Sequence, residues 1–274
     1  METFFSFLER RVDDCSSLLC VGLDPHVSDL SSPTAASARD FCLNLVKQTA
    51  SYAAAFKPNA AFFEVFGADG WIALKQVIEA IQDESNRRGS MIPVILDAKR
   101  GDISSTAEAY AKSAFESLGA HCITLSPYLG KDSIDPFLNY PEKGVFLLCK
   151  TSNAGSGDLQ DIPLADGDLL YEHVAKLAQS WNTKNNIGLV VGATHLDALK
   201  RVREAAPGLW FLAPGVGAQG GELESALRAG LRKDNKGVLL PVSRAISRAA
   251  NPGVAAAEIR DEILQIRGEI QKHG

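Results

Sequence analysis

The sequence predicts an α/β protein: a single (β/α)₈ TIM barrel over residues 1–274, with a short N-terminal helix. Eight short apolar runs alternate with amphipathic segments, which is the pattern of βαβ units and parallel sheets. The runs are apolar almost throughout, as expected where both faces of a sheet are buried. The length of 274 residues also suits such a barrel, which typically needs about 250. An open, doubly wound sheet remains an alternative, because periodicity does not show which strands are neighbours.

The predicted elements follow one another in a regular order. The N-terminal helix covers residues 2–13. The eight strands cover residues 17–25, 54–63, 91–99, 121–127, 144–152, 187–194, 209–217 and 237–246. The clearest helical patterns lie at 38–52, 106–119, 168–181 and, closing the chain, 253–271. The longest predicted loop, residues 153–168, follows strand five, and a loop of this length in a compact domain is usually a lid or a binding loop.

Composition limits the class of protein. Hydrophobic residues make up 46% of the chain and charged residues 22%, which is ordinary for a globular protein. The net charge of −5 disfavours a broad nucleic-acid interface, although a small basic pocket remains possible. No apolar run approaches the ~20 residues of a membrane span, and the N-terminus does not resemble a secretory signal. We therefore expect a cytoplasmic protein with neither nucleic acid nor membrane as a partner.

The cysteines and histidines do not indicate a metal site. The five cysteines are scattered and include no C-x-x-C pair, and the five histidines show no H-E-x-x-H spacing, so a zinc or redox site is not expected. Free thiols in a reducing compartment are expected instead. The cysteines are Cys15, Cys20, Cys42, Cys122 and Cys149.

Charged residues cluster at the predicted end of strand three. Asp97 and Lys99 are two residues apart, so they should project to the same face of the strand, and Asp102 follows them. Lys57 lies on strand two, the neighbouring strand in a sequentially ordered barrel. Active sites of such barrels lie at the C-terminal ends of the strands, and buried charges need partners. An alternating Lys/Asp array is therefore expected at the barrel mouth, with a purely structural ion-pair network as the alternative.

Two further features point to a phosphorylated ligand. The glycine-rich segment PGVGAQGG, residues 214–221, follows strand seven, and Arg244 ends strand eight. Loops at these positions often bind phosphate through backbone N–H groups and a bidentate arginine, although the segment alone also fits a tight turn. Asp24, at the end of strand one, is a candidate for holding a sugar hydroxyl, for capping the next segment or for binding a metal.

Together these motifs resemble those of the orotidine 5′-phosphate decarboxylase family. The resemblance covers essentially the whole chain and rests on LDAKRGDI (96–103), FKPNAAFFE (56–64) and PGVGAQGG. The residues of these motifs are similar to those of the bacterial-type subgroup. It implies a lyase that converts orotidine 5′-monophosphate to uridine 5′-monophosphate, the last step of de novo UMP synthesis. It further implies a homodimer with shared active sites, and a reaction that requires no metal or organic cofactor.

The resemblance also implies roles for individual residues. Lys57, Asp97, Lys99 and Asp102 would form the catalytic array, in which Lys99 faces the developing C6 carbanion and protonates it. Asp102 would reach the active site of the other subunit. The remaining implied contacts are with substrate: the ribose for Asp24 and, from the partner subunit, Thr106; the base region for Ile103 and Ser152; the phosphate for Gln219 and Arg244.

Three other functions stay open on the sequence alone. The motif D-x-K-x-x-D is shared by Mg²⁺-dependent sugar-phosphate synthases and keto-acid decarboxylases of the same barrel superfamily, but a lysine on strand two in place of a further acid disfavours a metal. A Schiff-base aldolase would use Lys57, Lys99 or Lys150 as its nucleophile. A non-catalytic phosphate-binding protein would leave the charge array without a chemical role.

Overall fold

The computed structural model describes residues 2–215 and 221–273, and these contain a closed barrel of eight parallel strands. Hydrogen-bonded neighbours follow the order β2-β1-β8-β7-β6-β5-β4-β3. Parallel bridges between Phe56 and Val94 and between Asn59 and Asp97 join β2 to β3 and close the ring. The predicted barrel is confirmed and the open-sheet alternative is wrong. The strands are β1 (Leu19–Leu23), β2 (Ala55–Pro58), β3 (Ile95–Arg100), β4 (Cys122–Leu125), β5 (Gly144–Lys150), β6 (Ile187–Val191), β7 (Phe211–Leu212) and β8 (Val238–Val242).

Helices follow the strands and cover the outside of the barrel. The helices predicted at 2–13, 38–52, 106–119, 168–181 and 253–271 are present within a few residues of those bounds, because each buries one apolar face against the sheet. The long helix over Gly67–Arg88 was not among the predicted patterns. Short helices occupy several of the connections. The helices are α1 (Phe4–Cys15), α2 (Ala35–Thr49), α3 (Ala61–Glu64), α4 (Gly67–Arg88), α5 (Ser104–Lys112), α6 (Asp135–Leu138), α7 (Gly157–Gln160), α8 (Leu170–Trp181), α9 (Leu196–Ala205), α10 (Gly221–Gly230), α11 (Arg244–Ser247) and α12 (Pro252–His273).

The N-terminal helix α1 closes the end of the barrel where the strands begin. Phe4 and Phe5 are fully buried and meet the ring of Phe146 edge-on, with centroid distances of 6.5 and 5.5 Å. Gly144, the first residue of β5, permits this approach, because a Cβ at that position would lie 2.3 Å from Phe4 Cδ1. The opposite end, where the strands finish, therefore remains the accessible mouth.

Most of the predicted strands end a few residues earlier in the structure, and three of them differ most. The segment predicted as a strand over 54–63 turns after Pro58, because the side chain of Asn59 accepts the Ala61 N–H (3.2 Å) and starts α3. Strand eight stops at Val242, and Arg244 begins α11 instead of ending the strand. β7 contains only two residues, and the end of its predicted range, 209–217, lies outside the described residues.

The predicted loop at 153–168 contains short helical turns, a 3₁₀ turn at Ala154–Ser156 followed by α7, before α8 begins at Leu170. None of the helices in the described ranges combines the length and the apolar character needed to cross a membrane.

Candidate active site

A cavity of about 480 Å³ opens at the C-terminal ends of the strands, where barrels of this kind place their active sites. Its charged lining comes from β2 and β3. Leu148 of β5, Val190 of β6 and Leu212 of β7 contribute apolar surface. The ring order separates these strands from β2 and β3, so the cavity has a charged sector and an apolar sector. The polar residues that line it include Lys57, Asp97, Lys99, Thr124, Ser152 and Gln160.

Three of the four predicted array residues meet in this cavity. Asp97 accepts hydrogen bonds from two lysines, through Oδ2 from Lys57 Nζ (2.7 Å) and through Oδ1 from Lys99 Nζ (2.5 Å). Asp24 Oδ1 lies 4.0 Å from Lys57 Nζ and completes the cluster. Lys57 and Asp97 are buried, whereas 52% of the Lys99 side chain is exposed. Lys99 is therefore the cation of the array that can touch a bound molecule.

The ion pairs keep the buried members of the array charged. Burial by itself would raise the pKa of Asp97, but the attraction of Lys57 and Lys99 lowers it to about 2. Burial would likewise lower the pKa of Lys57, but the carboxylates of Asp97 and Asp24 hold it above its ordinary value. The charges are therefore in place before any ligand binds.

Lys99 reaches Asp97 for a different reason from the one the sequence suggested. Simple alternation along β3 predicts that both side chains share a face, but the pairing of β3 with β4 is interrupted between Leu96 and Arg100. Lys99 itself has φ of +48°, a left-handed conformation that costs roughly 1–3 kcal/mol for a residue with a side chain and that clusters at functional sites. The predicted convergence is confirmed, and a bulge produces it.

Asp102, Ile103 and Thr106 lie outside the cavity of their own chain. Asp102 Oδ1 accepts the N–H of Ile103 (2.8 Å), and no lysine or arginine of residues 2–215 or 221–273 forms an ion pair with it. Ile103 is 50% exposed, and Thr106 is exposed in the first turn of α5. The strand ends at Arg100, and none of these three side chains lines the cavity of its own chain. That Asp102 and Thr106 serve a partner's site stays a prediction, and so does the contact of Ile103 with the base, because Ile103 is not part of the cavity lining.

The other predicted contacts occupy different parts of the mouth. Ser152 lines the cavity. Asp24 Oδ1 is buried with no hydrogen-bond partner, and a buried carboxylate oxygen in that state is suited to accept a ligand hydroxyl. Arg244 is exposed at the start of α11, and no carboxylate of the described residues pairs with it. Gln219 lies outside the described residues.

Two of the three lysines named for a Schiff-base aldolase, Lys57 and Lys150, lie in surroundings that do not suit that role. A Schiff-base lysine needs a lowered pKa, whereas Lys57 has a raised one. Lys150 is buried outside the cavity lining and donates to Asp161 (2.7 Å) and Ser156 (3.2 Å).

The five cysteines are free and buried. Within the described ranges, no group of three or more His, Cys, Asp or Glu residues is placed to hold a metal ion.

Sequence reasoning missed Thr124 and Gln160. Thr124 is the one hydroxyl-bearing residue of β4, and its position next to the end of that strand was a usable signal. Gln160 accepts the Thr151 N–H (2.9 Å) at the edge of the cavity. Its position depends on the path of the segment after β5, for which the sequence carries no periodic signal.

We predict that Asp97→Asn lowers the free energy of unfolding by about 3 kcal/mol at neutral pH, because Lys57 then loses its buried partner. The pKa of Asp97 is about 2 in the folded chain against 3.8 ordinarily. A carboxyl with a depressed folded pKa stabilises the protein above its unfolded pKa, and this stabilisation is lost as the pH falls through the folded pKa. The difference in free energy of unfolding between wild type and variant, measured by urea unfolding, should be constant above about pH 5 and shrink as the pH falls toward about 2. A gap that widens on acidification would contradict the assignment.

Comparison with known proteins gives a consistent result. The model of the "Orotidine 5′-phosphate decarboxylase / HUMPS family" matches residues 17–259. An orotidine 5′-phosphate decarboxylase of Roseiflexus castenholzii is 48% identical over 271 residues, covering 97% of both chains. The structure of Leishmania donovani OMP decarboxylase has a TM-score of 0.88 at 54% identity, covering 97% of this chain and 99% of its own. A putative orotidine-monophosphate decarboxylase of Toxoplasma gondii has a TM-score of 0.92 at 44% identity, covering 99% and 98%.

Proposed function

The chain belongs to the orotidine 5′-phosphate decarboxylase / HUMPS family, and we propose from this premise that Lys57, Asp97 and Lys99 carry out its chemistry. The protein is a carboxy-lyase of pyrimidine biosynthesis that converts orotidine 5′-monophosphate to uridine 5′-monophosphate. The observation that carries the catalytic assignment is the preformed array in which Asp97 holds two lysines.

The reaction breaks the bond between C6 of the pyrimidine and its carboxylate carbon. CO₂ leaves without the bonding electrons, and the pair stays on C6 as a carbanion in the plane of the ring. A proton must then be delivered to C6 to give the product. The demands on the protein are a fixed positive charge at C6 and a proton donor at the same place.

Lys99 meets both demands in this proposal. Its ammonium group is the exposed cation of the array, so it can lie against C6, stabilise the developing charge and transfer a proton. A preorganised charge of this kind stabilises a transition state without reorganisation during the reaction. Asp97 would lie near the departing carboxylate and raise the energy of the bound ground state. Lys57, paired with Asp97, would keep the cluster oriented.

The rest of the mouth fits the rest of the nucleotide. We assign the unpartnered oxygen of Asp24 to a ribose hydroxyl and Ser152 to the pyrimidine. The apolar sector of the cavity suits a planar base. Arg244, together with Gln219 and backbone N–H groups of the glycine-rich segment, would hold the phosphate.

Binding of the phosphate contributes to the chemistry at the distant base. The largest enzymatic accelerations correspond to roughly 20 kcal/mol of barrier lowering, more than one lysine supplies. Interactions with a remote, non-reacting group can be expressed in the transition state when they fix the reacting atoms in place. The two lysines supply the positive charge of the site, so the proposed reaction requires neither a metal nor an organic cofactor.

We also propose that residues 1–274 act as a single cytoplasmic domain and that two copies form a homodimer in which Asp102 completes the charge array of the partner subunit. The supporting observation is that Asp102, Ile103 and Thr106 do not line the cavity of their own chain. Ile103 in particular presents a half-exposed apolar side chain beside the mouth, as expected of a residue that a second subunit would cover.

We predict that Arg244→Ala lowers kcat/KM for orotidine 5′-monophosphate by about 100-fold, or roughly 2.7 kcal/mol of transition-state binding, because bidentate contacts of arginine with phosphate are strong. Turnover of the phosphate-free nucleoside should not change, since that substrate lacks the group that Arg244 contacts. Steady-state kinetics with both substrates would measure the two effects.

Arg248→Ala is the matched control for this experiment. Arg248 lies one helical turn further on and pairs with Asp29 (3.1 Å), so its loss should leave the preference for the nucleotide intact. Equal losses for nucleotide and nucleoside in Arg244→Ala would refute the phosphate assignment.

A further inference from the structure

The irregularity in β3 leaves backbone groups that the sheet itself does not pair. Between the register pairs Leu96–Ile123 and Arg100–Leu125, three residues of β3 face Thr124 alone. Extra residues in a bulged strand cannot all use the regular ladder. Their N–H groups lie beside the buried array, where an unpaired donor is costly.

The hydroxyl of Thr124 supplies the acceptor for two of these N–H groups. Thr124 Oγ1 accepts the N–H of Ala98 (3.0 Å) and the N–H of Lys99 (2.9 Å). It also donates to Asp97 Oδ1 (3.1 Å), the same oxygen that holds Lys99 Nζ. A hydroxyl has one donor and two acceptor positions, so Thr124 uses its full capacity on three consecutive residues of β3. Thr124 is 1% exposed.

We propose that Thr124 is a positioning residue of the decarboxylation reaction, one that fixes the β3 bulge and thereby aims the ammonium group of Lys99. The inference rests on the proposed role of Lys99. The left-handed backbone of Lys99 is held from both sides: its N–H is bound to Thr124, and its side chain is bound to the carboxylate that Thr124 also contacts. Without the hydroxyl, the N–H groups of Ala98 and Lys99 lose the acceptor that the structure gives them.

The effect should appear in the rate and not in nucleotide affinity. Thr124 lines the cavity, but its hydroxyl is already engaged by Ala98, Lys99 and Asp97, so it has no hydrogen bond left for the nucleotide. Without it, Lys99 can still bind the nucleotide from a slightly different position. Misplacement of a catalytic group by about 1 Å can reduce a rate by about 100-fold. We therefore expect Thr124→Val, which keeps the shape and removes the hydroxyl, to lower kcat by about 100-fold with little change in the Kd for uridine 5′-monophosphate.

The test is a graded series of substitutions at this position. Thr124→Ser keeps the hydroxyl and should retain most of the wild-type kcat, and Thr124→Cys, with a thiol that is a weak donor and acceptor, should fall between Ser and Val. This order stands on the Ser and Cys variants alone if Thr124→Val does not fold. Thr49→Val is the matched control, because Thr49 is equally buried and its hydroxyl donates only to Leu45 O (2.8 Å) within α2; it should keep wild-type kcat even if it is less stable.

The outcomes are separable from those of the catalytic assignment. Wild-type kcat in Thr124→Cys or Thr124→Val would overturn the inference, as would an equal loss in Thr124→Ser, which would assign the effect to the methyl group. Lys99→Ala is measured alongside. If it is inactive while Thr124→Val is fully active, only the positioning role fails; if Lys99→Ala is itself active, the catalytic assignment fails.

Discussion

Lys99→Ala is expected to lose turnover of orotidine 5′-monophosphate by at least about 10⁴-fold, because it removes the proton donor and the charge that faces C6 in one change. The remaining array cannot replace it, since Lys57 is buried and bound to Asp97. The loss should appear in single-turnover experiments, where product release does not limit the rate.

Nucleotide binding should survive this substitution and provides the internal control. The variant should still bind uridine 5′-monophosphate, measured by calorimetry, because the ribose and phosphate contacts are made elsewhere. Lys131→Ala is a matched control on an exposed lysine that pairs only with Asp135, and it should be fully active. If Lys99→Ala retains about a tenth of wild-type turnover, a barrier change of only about 1.4 kcal/mol, Lys99 is not the proton donor.

Mixing inactive Lys99→Ala with inactive Asp102→Ala is expected to restore activity if the sites are shared between subunits. In a heterodimer one site carries both defects, while the other takes Lys99 from one chain and Asp102 from the other. With free exchange of subunits, half of the dimers are hybrids, so about a quarter of all sites should work, as two-fold symmetry requires.

The control mixes two variants whose substituted residues are contributed to a site by the same chain. Asp97 Oδ1 and Lys99 Nζ of one chain are 2.5 Å apart, so each site takes both residues from the same chain. A mixture of Asp97→Ala with Lys99→Ala therefore contains no intact site in any dimer and should stay inactive. Verified heterodimers of the first mixture that remain inactive would show that each site is built within a single chain.

The barrel and most of the charge array could be predicted because the signals for them are local. Each strand is a continuous apolar run, and Lys57, Asp97 and Lys99 each follow such a run directly. The rule that strand ends converge at the barrel mouth then brings them together without any knowledge of side-chain contacts. Closure through β2 and β3 could not be deduced, because hydrophobic periodicity carries no information about strand neighbours.

Features that depend on contacts between distant residues were not accessible in the same way. The bulge at Lys99 arises from the register of β3 against β4. The spacing along β3 therefore predicted the contact between Lys99 and Asp97 but not the backbone conformation that produces it. The orientation of Asp102 depends on where the chain goes after Gly101, and its partner, in the proposal made above, belongs to another subunit. Thr124 could have been predicted from the sequence, since a single hydroxyl residue in an apolar strand beside a charged cluster is itself a signal.

The central claim is that this barrel decarboxylates orotidine 5′-monophosphate through its own lysine and aspartate charges. The most direct measurement follows the loss of substrate absorbance with purified protein that has been dialysed against EDTA and assayed in its presence. We predict the same rate as without EDTA, because Lys57 and Lys99 supply the charge that a Mg²⁺ ion supplies in the metal-dependent relatives of this barrel. A rate that disappears in EDTA and returns with added Mg²⁺ would contradict the account.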